Sequence, residues 1–194
     1  MNEKTFDPAR AHRLDDPARL EWMPPAQIIA GLGLSPGMIV ADVGAGTGFF
    51  ALPFARAVGP DGTVLAVDLQ PEMLHLLERK LERELHPGNL RLLEGDAAAT
   101  HLPPAVCDVA FLANLWHELD NPRDVLVEMR RILRPGGRLA IVDWRADVPP
   151  PPGPPQQDRV DSRETQALLR EQGWNVAASS PLGPYNYFLL ASLA

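Results

Sequence analysis

The sequence predicts a single-domain α/β fold in which a mostly parallel sheet carries helices on both faces. Short apolar, β-branched runs alternate along the chain with longer segments of helical periodicity. The first such run, residues 38–43, ends at the glycine-rich turn GAGTG, residues 44–48, and a helix pattern begins at Phe49. A length of 194 residues suits one domain with a sizeable core.

Composition excludes several classes of protein. A net charge of −7 disfavours nucleic acid as a partner, because the phosphate backbone would be repelled on average. Cys107 is the only cysteine, so intramolecular disulfides are excluded and no metal site is expected. We find no apolar run of membrane-spanning length and no signal-peptide core, and we therefore expect a cytoplasmic protein, monomeric or homodimeric.

The glycine turn is the first candidate site. A strand, a glycine turn and a helix start are expected to leave several unpaired backbone N–H groups around one concavity. The spacing of Gly44, Gly46 and Gly48 is GxGxG, whereas a dinucleotide fingerprint needs GxGxxG. Asp42 adds a carboxylate that is unfavourable beside a pyrophosphate and suited to a cationic amino-acid group. A tight turn without a ligand is the alternative interpretation.

Residues 1–36 are predicted to form an N-terminal cap segment and a helix. Four prolines between positions 8 and 25 rule out one long helix. The segment 25–32 has the pattern of a helix that begins at proline and ends at a glycine, at position 31 or 33. Trp22 either packs on the sheet or covers the cleft, and the sequence leaves both open.

Candidate acids follow the second and third strands. A strand over 63–67 ends at Asp68, 20 residues after Gly48, about where such sheets place the carboxylate that binds two ribose hydroxyls. A helix is predicted over 71–86, ending at Pro87-Gly88, and a strand over 89–93. Asp96 follows at the carboxyl edge, where a solvated loop aspartate is the alternative interpretation.

The fourth and fifth strands deliver polar residues to the same edge. The fourth strand, 106–113, leads into Trp116-His117 and a helix that begins at 121–122 and stops at 134–137. The fifth strand, 138–142, leads to Asp143 and Trp144. His117 is the candidate general base, because imidazole titrates near physiological pH; a packed or capping histidine is equally open.

The C-terminal part contains a proline-rich loop over 147–158 that cannot join a sheet. It is either a spacer or a loop that gates the substrate. A helix over 161–172, capped by Ser162, and strands over 174–180 and 186–193 complete the predicted elements.

Five segments together resemble class I S-adenosylmethionine-dependent methyltransferases, especially the small-molecule branch that includes ubiquinone and menaquinone biosynthetic enzymes. They read VADVGAGTGFFAL, VDLQPEML, EGDA, CDVAFLANLWHEL and LVEMRRILRPGGRLAIVDW, and the likeness covers residues 37–144. The resemblance implies a Rossmann-like seven-stranded sheet with an antiparallel last strand, in a methyltransferase domain spanning 37–194.

The resemblance also implies roles for particular residues. Asp42, Gly44 and Gly46 would face the methionine part of the cofactor, with Gly48 in the same turn. Asp68 would bind the ribose, with Leu69 and Met73 lining the ring. Asp96 and Ala97 would hold the adenine, and Asn114 and Leu115 would lie beside the sulfonium. Position, and not the resemblance, places the substrate near Trp22, Trp116, Asp143 and Trp144, because the fourth and fifth strands end and the proline-rich loop begins beside the expected sulfonium. The Asp/Asn-Pro-Pro-aromatic signature of nucleic-acid amino methyltransferases is absent.

We therefore expect methyl transfer from S-adenosylmethionine to a small-molecule acceptor, by in-line displacement that leaves S-adenosylhomocysteine. Such chemistry depends mainly on positioning the two reactants and excluding water. A non-catalytic S-adenosylmethionine-binding regulator and, less well supported, an NAD-dependent oxidoreductase are the alternatives. The sequence does not identify the acceptor.

Overall fold

The computed structural model describes residues 6–86 and 88–193. Residues 1–5 of the predicted cap segment, Pro87 at the predicted helix end and residue 194 lie outside that range. Seven strands form one sheet in the order β3-β2-β1-β4-β5-β7-β6. They are β1 Ile39–Val43, β2 Thr63–Asp68, β3 Leu90–Glu94, β4 Cys107–Ala113, β5 Leu133–Trp144, β6 Trp174–Leu182 and β7 Asn186–Leu193.

Among these strands, β7 alone runs opposite to the other six: it pairs antiparallel with both β5 and β6, and the other adjacent strands pair in parallel. The predicted α/β fold, with a seven-stranded sheet and an antiparallel last strand, is confirmed. The helices are α1 Arg19–Trp22, α2 Pro25–Leu32, α3 Ala51–Val58, α4 Pro71–Leu81, α5 Pro122–Ile132 and α6 Ser162–Glu171. The 3-10 helices span Pro8–Asp15, Trp116–Glu118 and Gln156–Asp158.

Local sequence signals account for several of the helix ends. Proline occupies the first turn of α2, α4 and α5, where its missing N–H would have had no helical partner. Gly33, at a φ of 59°, ends α2 in the left-handed conformation that glycine adopts without strain. Asp161, and not the predicted Ser162, caps α6, because the Asp161 carboxylate accepts a hydrogen bond from the backbone N–H of Arg163 at 2.7 Å.

Two predicted boundaries differ from the structure by more than two residues. Helix α4 ends at Leu81 and not at residue 86, because the residues beyond it are largely exposed and Leu85 is 95% exposed, so no packing stabilises further turns. Strand β5 begins at Leu133, earlier than predicted, because Leu133 pairs with Cys107 before an irregularity, after which regular pairing resumes at Arg138.

The core has one layer on each face of the sheet. On one face, α5 and α6 contribute Leu126, Met129 and Leu169 to a cluster that includes inward-facing strand residues. On the other, Ile28 of α2 and Phe54 of α3 pack in a cluster with strand side chains and with Leu77 of α4. No helix in the described parts of the chain is long and apolar enough to cross a membrane.

Leu77 supports the glycine turn from below. It is fully buried, and a Cβ added to Gly48 would overlap its side chain. Leu77→Ala should therefore lower the free energy of unfolding by about 2–5 kcal/mol, through lost burial and the cavity left behind. The matched control is Leu85→Ala at a 95% exposed position, expected within about 0.5 kcal/mol of wild type. Urea titration measures the free energy of unfolding of both variants. Equal losses in the two variants would contradict the conclusion that Leu77 supports the glycine turn.

Candidate active site

Polar residues converge at the carboxyl edge of the sheet. Asp42 lies on β1, Asp68 ends β2, Asn114 follows β4 and Asp143 lies near the end of β5. Because these four strands are parallel, their carboxyl ends meet at one edge, where open α/β sheets bind ligands. Asn114 has a positive φ of 53°, a strained conformation of the kind that clusters at functional sites.

The glycine turn is folded onto the end of β2. The backbone N–H groups of Gly44 and Ala45 donate to the carbonyl oxygen of Val67 at 2.8 and 3.0 Å, and that of Gly46 donates to Asp68 Oδ2 at 2.7 Å. The expectation that these groups are unpaired is wrong, because β2 lies close enough to accept from all three. Gly44, Gly46 and Gly48 all have positive φ, at 76°, 54° and 80°.

Two buried carboxyl groups flank this turn. Asp42 is 2% exposed and its Oδ2 has no hydrogen-bond partner. Burial, with the nearby charge of Asp68, raises the pKa of Asp42 to about 7. Burial also raises the pKa of Asp68, although hydrogen bonds from Gln70 and Gly46 oppose that shift. No ion pair among the described residues involves either acid, so the site suits a cationic ligand better than a phosphate.

The glycine positions also leave little room for other side chains. A Cβ on Gly44 would lie 2.9 Å from Leu115 Cδ2, and one on Gly46 would lie 3.2 Å from Leu14 Cδ1. Leu115 follows β4 and Leu14 belongs to the N-terminal 3-10 segment. Glycine at these two positions therefore allows other chain segments to approach the turn closely.

The predicted adenine-side residues, Asp96 and Ala97, lie next to each other on the loop that follows β3. The Asp96 carboxylate accepts from the backbone N–H of Ala98 at 2.7 Å and is exposed, and Ala97 is half-buried. Buried Glu128 of α5 holds this loop, because its Oε1 accepts from Thr100 N and Thr100 Oγ1 at 2.9 and 2.5 Å.

The two predicted ring-lining residues after β2 differ in accessibility. Leu69 is 54% exposed and available at the cleft, whereas Met73 is 2% exposed within α4. The structure therefore presents Leu69 to a ligand more readily than Met73.

His117 and Asp143 form a buried hydrogen-bonded pair. His117 Nδ1 lies 2.8 Å from Asp143 Oδ1, and the backbone N–H of His117 donates to Asp143 Oδ2 at 3.0 Å. Burial alone would lower the pKa of His117, but the charge and hydrogen bond of Asp143, with smaller contributions from Glu118 and Asp158, raise it. Asp143 therefore orients the ring and leaves Nε2 for other contacts.

Sequence reasoning missed Glu118. Its Oε1 lies 3.8 Å from His117 Nε2, and its carboxylate accepts a hydrogen bond from the backbone N–H of Phe6. Burial raises the pKa of Glu118 to about 7, although His117 and Phe6 oppose the shift. The only signal in the sequence is an acid directly after His117. The environment of this acid depends on the N-terminal segment, which crosses over it in the folded chain.

The three predicted substrate tryptophans have different surroundings. Trp116 is 2% exposed and belongs to the hydrophobic core, so its position does not support a place on a cleft wall. Trp22 is half-buried, with its ring edge-on to Tyr185 at a centroid distance of 5.5 Å. Trp144 is 8% exposed beneath the proline-rich loop, with the Arg159 guanidinium 5.4 Å from its ring centroid.

Arg159 fastens that loop. Its guanidinium donates to backbone carbonyls before and within the proline run, those of Arg145, Val148, Pro152 and Pro154. A Cβ on Gly153 would lie 2.7 Å from the Trp144 ring, so the loop rests directly on the indole. The predicted loop is thus tied over Trp144 next to Asp143.

The sheet order, the glycine turn and the acids at the ends of β1 and β2 define a class I S-adenosylmethionine-dependent methyltransferase. A family model described as "Methyltransferase domain" matches residues 41–141, just over half of the chain. The chain belongs to this family.

Relatives and solved structures agree with that membership. The ubiquinone/menaquinone biosynthesis C-methyltransferase UbiE of Stutzerimonas stutzeri is 32% identical over 112 residues, 58% of this chain and 44% of that protein. The chain thus spans less than half the length of this curated relative. A structure of an S-adenosylmethionine-dependent methyltransferase from Aquifex aeolicus is 33% identical, with a TM-score of 0.92 over 98% of this chain and 100% of that one.

The [4+2]-cyclase SpnF shares the fold alone, with a TM-score of 0.75 at 16% identity over 87% of this chain and 79% of that one.

Asp42 makes a testable contribution to the pH dependence of stability. Its pKa is about 7 in the folded protein against an ordinary 3.8, so the group destabilises the fold progressively as the pH rises between those values. Asp42→Asn should remove this dependence and raise the free energy of unfolding of the cofactor-free protein at pH 8 by about 1–3 kcal/mol. Urea titration from pH 4 to pH 8 measures it, with exposed Asp61→Asn as control. A less stable Asp42→Asn protein at pH 8 would contradict the argument.

Proposed function

We propose that this protein transfers the methyl group of S-adenosylmethionine to a small-molecule acceptor, by in-line displacement that leaves S-adenosylhomocysteine. The observation that carries the proposal is the buried Asp42 carboxyl, whose Oδ2 has no partner beside the glycine turn. A buried carboxylate without a cation is unfavourable, and an ammonium group of a ligand would relieve it. The curated relatives are named for C-methylation in ubiquinone and menaquinone biosynthesis, which supports a small-molecule acceptor.

The residues present fit this cofactor. Asp42 would face its amino group, and Asp68 would accept from the ribose hydroxyls through lone pairs not used by Gly46 and Gln70. The remaining cofactor contacts are proposed for Gly44, Gly46, Gly48, Leu69, Met73, Asp96, Ala97, Asn114 and Leu115. When bound, S-adenosylmethionine supplies an electrophilic methyl group on a sulfonium.

The protein's main contribution is positioning and the exclusion of water. The segment before α1 and the loop fastened over Trp144 both border the carboxyl edge, so they limit access of water to it. We place the acceptor near Trp22, Asp143 and Trp144. Trp116 is less well suited, because it is packed in the core.

His117 is proposed to accept a proton from the acceptor at Nε2. Asp143 accepts from Nδ1–H, which fixes the tautomer that leaves Nε2 able to accept. The same bond raises the pKa of His117 and so strengthens the base. An acceptor whose reacting atom carries an acidic proton would need this step, and one that is already nucleophilic would not.

The cofactor assignment predicts selective thermal stabilisation. S-adenosylmethionine or S-adenosylhomocysteine at a hundredfold excess over Kd should add roughly 2.7 kcal/mol to the free energy of unfolding, because it binds only the native state. NAD should add nothing, since its pyrophosphate would meet Asp42. Differential scanning fluorimetry with the three compounds measures this. Stabilisation by NAD alone would refute the assignment.

The base assignment predicts a separation of binding from turnover. His117→Ala should leave the Kd for S-adenosylhomocysteine nearly unchanged and reduce turnover by ~10²–10⁴ if the imidazole is a base. Wild-type turnover should rise with pH as His117 loses its proton, and the variant should lose that limb of the profile. The readout is S-adenosylhomocysteine release across a metabolite library, followed by a pH series on any acceptor found.

The control is His75→Ala, a change at an exposed position on α4. An unchanged pH profile in His117→Ala would make His117 a packing residue and leave the methyltransferase assignment intact.

A further inference from the structure

The N-terminal residues 6–15, which we call the lid segment, cross the carboxyl edge of the sheet. The backbone N–H of Phe6 donates to the Glu118 carboxylate, and its carbonyl accepts from Gln70 Nε2 at 3.0 Å. Gln70 follows β2 and Glu118 follows β4, and β1 lies between those strands. The lid segment is therefore held at both sides of β1, the strand that carries Asp42 and leads into the glycine turn.

The other end of the lid segment is fixed to the glycine turn itself. Asp15 Oδ1 accepts from Thr47 Oγ1 at 3.0 Å and from Lys80 Nζ on α4 at 2.8 Å. Leu14 lies against Gly46, since a Cβ there would come within 3.2 Å of Leu14 Cδ1. The segment thus rests directly on the turn that the proposed cofactor must reach.

The attachment of the lid segment is shallow. In its helical part, Pro8–Asp15, only Ala11 is buried, and Asp15 holds the domain through polar contacts with Thr47 and Lys80. The chain that follows is anchored more firmly: Arg19 is 8% exposed with its guanidinium 4.2 Å from the Phe49 ring centroid, and Met23 is fully buried. Segments with few buried apolar contacts open at low free energy while their anchored neighbours stay folded.

We propose that the lid segment lifts to admit S-adenosylmethionine and closes over it, with Asp15 as the latch between the glycine turn and α4. This inference rests on the proposed function. Because the segment covers the route to Asp42 in its closed position, exchange of the cofactor proceeds through opening. Weakening the latch therefore accelerates both entry and release, whereas loss of an ordinary binding contact accelerates release alone.

The test measures cofactor exchange in latch variants of the full chain. Asp15→Ala removes the acceptor shared by Thr47 and Lys80, and Lys80→Met removes one donor from outside the proposed cofactor site while keeping the apolar stem. Association and release of radiolabelled S-adenosylhomocysteine, the latter into excess unlabelled product, should each become roughly three- to tenfold faster in Asp15→Ala. Lys80→Met should shift both rates in the same direction by less.

The control is Glu171→Ala. Glu171 pairs with Arg123 at 2.8 Å, between α6 and α5, and its removal should change neither rate. Unchanged rates in both latch variants, or faster release with unchanged association, would overturn the lid. If Asp15→Ala folds poorly, the association and release rates of Lys80→Met test the lid by themselves.

Proteolysis gives a second measurement on the wild-type chain. Arg10 and Arg13 are exposed on the lid segment, and trypsin should cleave there during opening. Saturating S-adenosylhomocysteine should slow cleavage at these sites at least tenfold, and cleavage at exposed Arg170 on α6 should change far less. Equal protection at all three sites would overturn the lid. If calorimetry shows no binding of S-adenosylhomocysteine, the proposed function itself fails, which separates the two results.

Discussion

The site depends on one constraint: the glycine turn must fold back onto the end of β2. Three successive amides, those of Gly44, Ala45 and Gly46, donate to Val67 O and Asp68 Oδ2. This arrangement needs the positive φ of Gly44 and Gly46, and it fixes the Asp68 carboxyl beside the turn. It also takes these amides away from any ligand. The turn therefore offers buried carboxyl groups where a dinucleotide site would offer donors for phosphate.

Burial raises the pKa values of the acids at this edge, and hydrogen bonds compensate it to different degrees. The pKa values of Asp42 and Glu118 are both raised to about 7 by burial, and that of Asp68 is raised as well. Asp143, by contrast, has its partners in place, since His117 and the backbone of Trp144 donate to it. Of these raised acids, Asp42 alone has a buried oxygen without a hydrogen-bond partner, whereas Asp143 has its partners in place and supports the proposed base. Asp42 therefore lacks a partner that a bound ligand could supply, whereas Asp143 orients the neighbouring His117.

The fold could be predicted from the sequence because strand and helix periods, proline at helix starts and glycine at turns are local signals. The acids at the ends of β1 and β2 could also be placed, because parallel strands bring their carboxyl ends to one edge. Contacts between distant segments could not be predicted. The bond from Phe6 to Glu118 and the burial of Trp116 depend on packing across the sheet, and the end of α4 depends on where the core stops.

Two buried polar atoms at the carboxyl edge of the sheet lie on either side of Asn114. Asp42 Oδ2 on β1 and Asn186 Oδ1 at the start of β7 are both buried without a hydrogen-bond partner. Asn114 lies between them in strand order, and its Oδ1 accepts from Asn186 Nδ2 at 3.0 Å. An unpaired buried polar atom typically costs about 1–3 kcal/mol, which a fold optimised for stability alone would avoid. Asn89 Oδ1 and Trp174 Nε1 are likewise buried without a partner, but they lie at the opposite edge of the sheet, where β3 and β6 begin. The two unpaired atoms at the carboxyl edge instead flank Asn114, which has a positive φ directly after β4, and this arrangement agrees with the proposal that cofactor and acceptor bind at that edge.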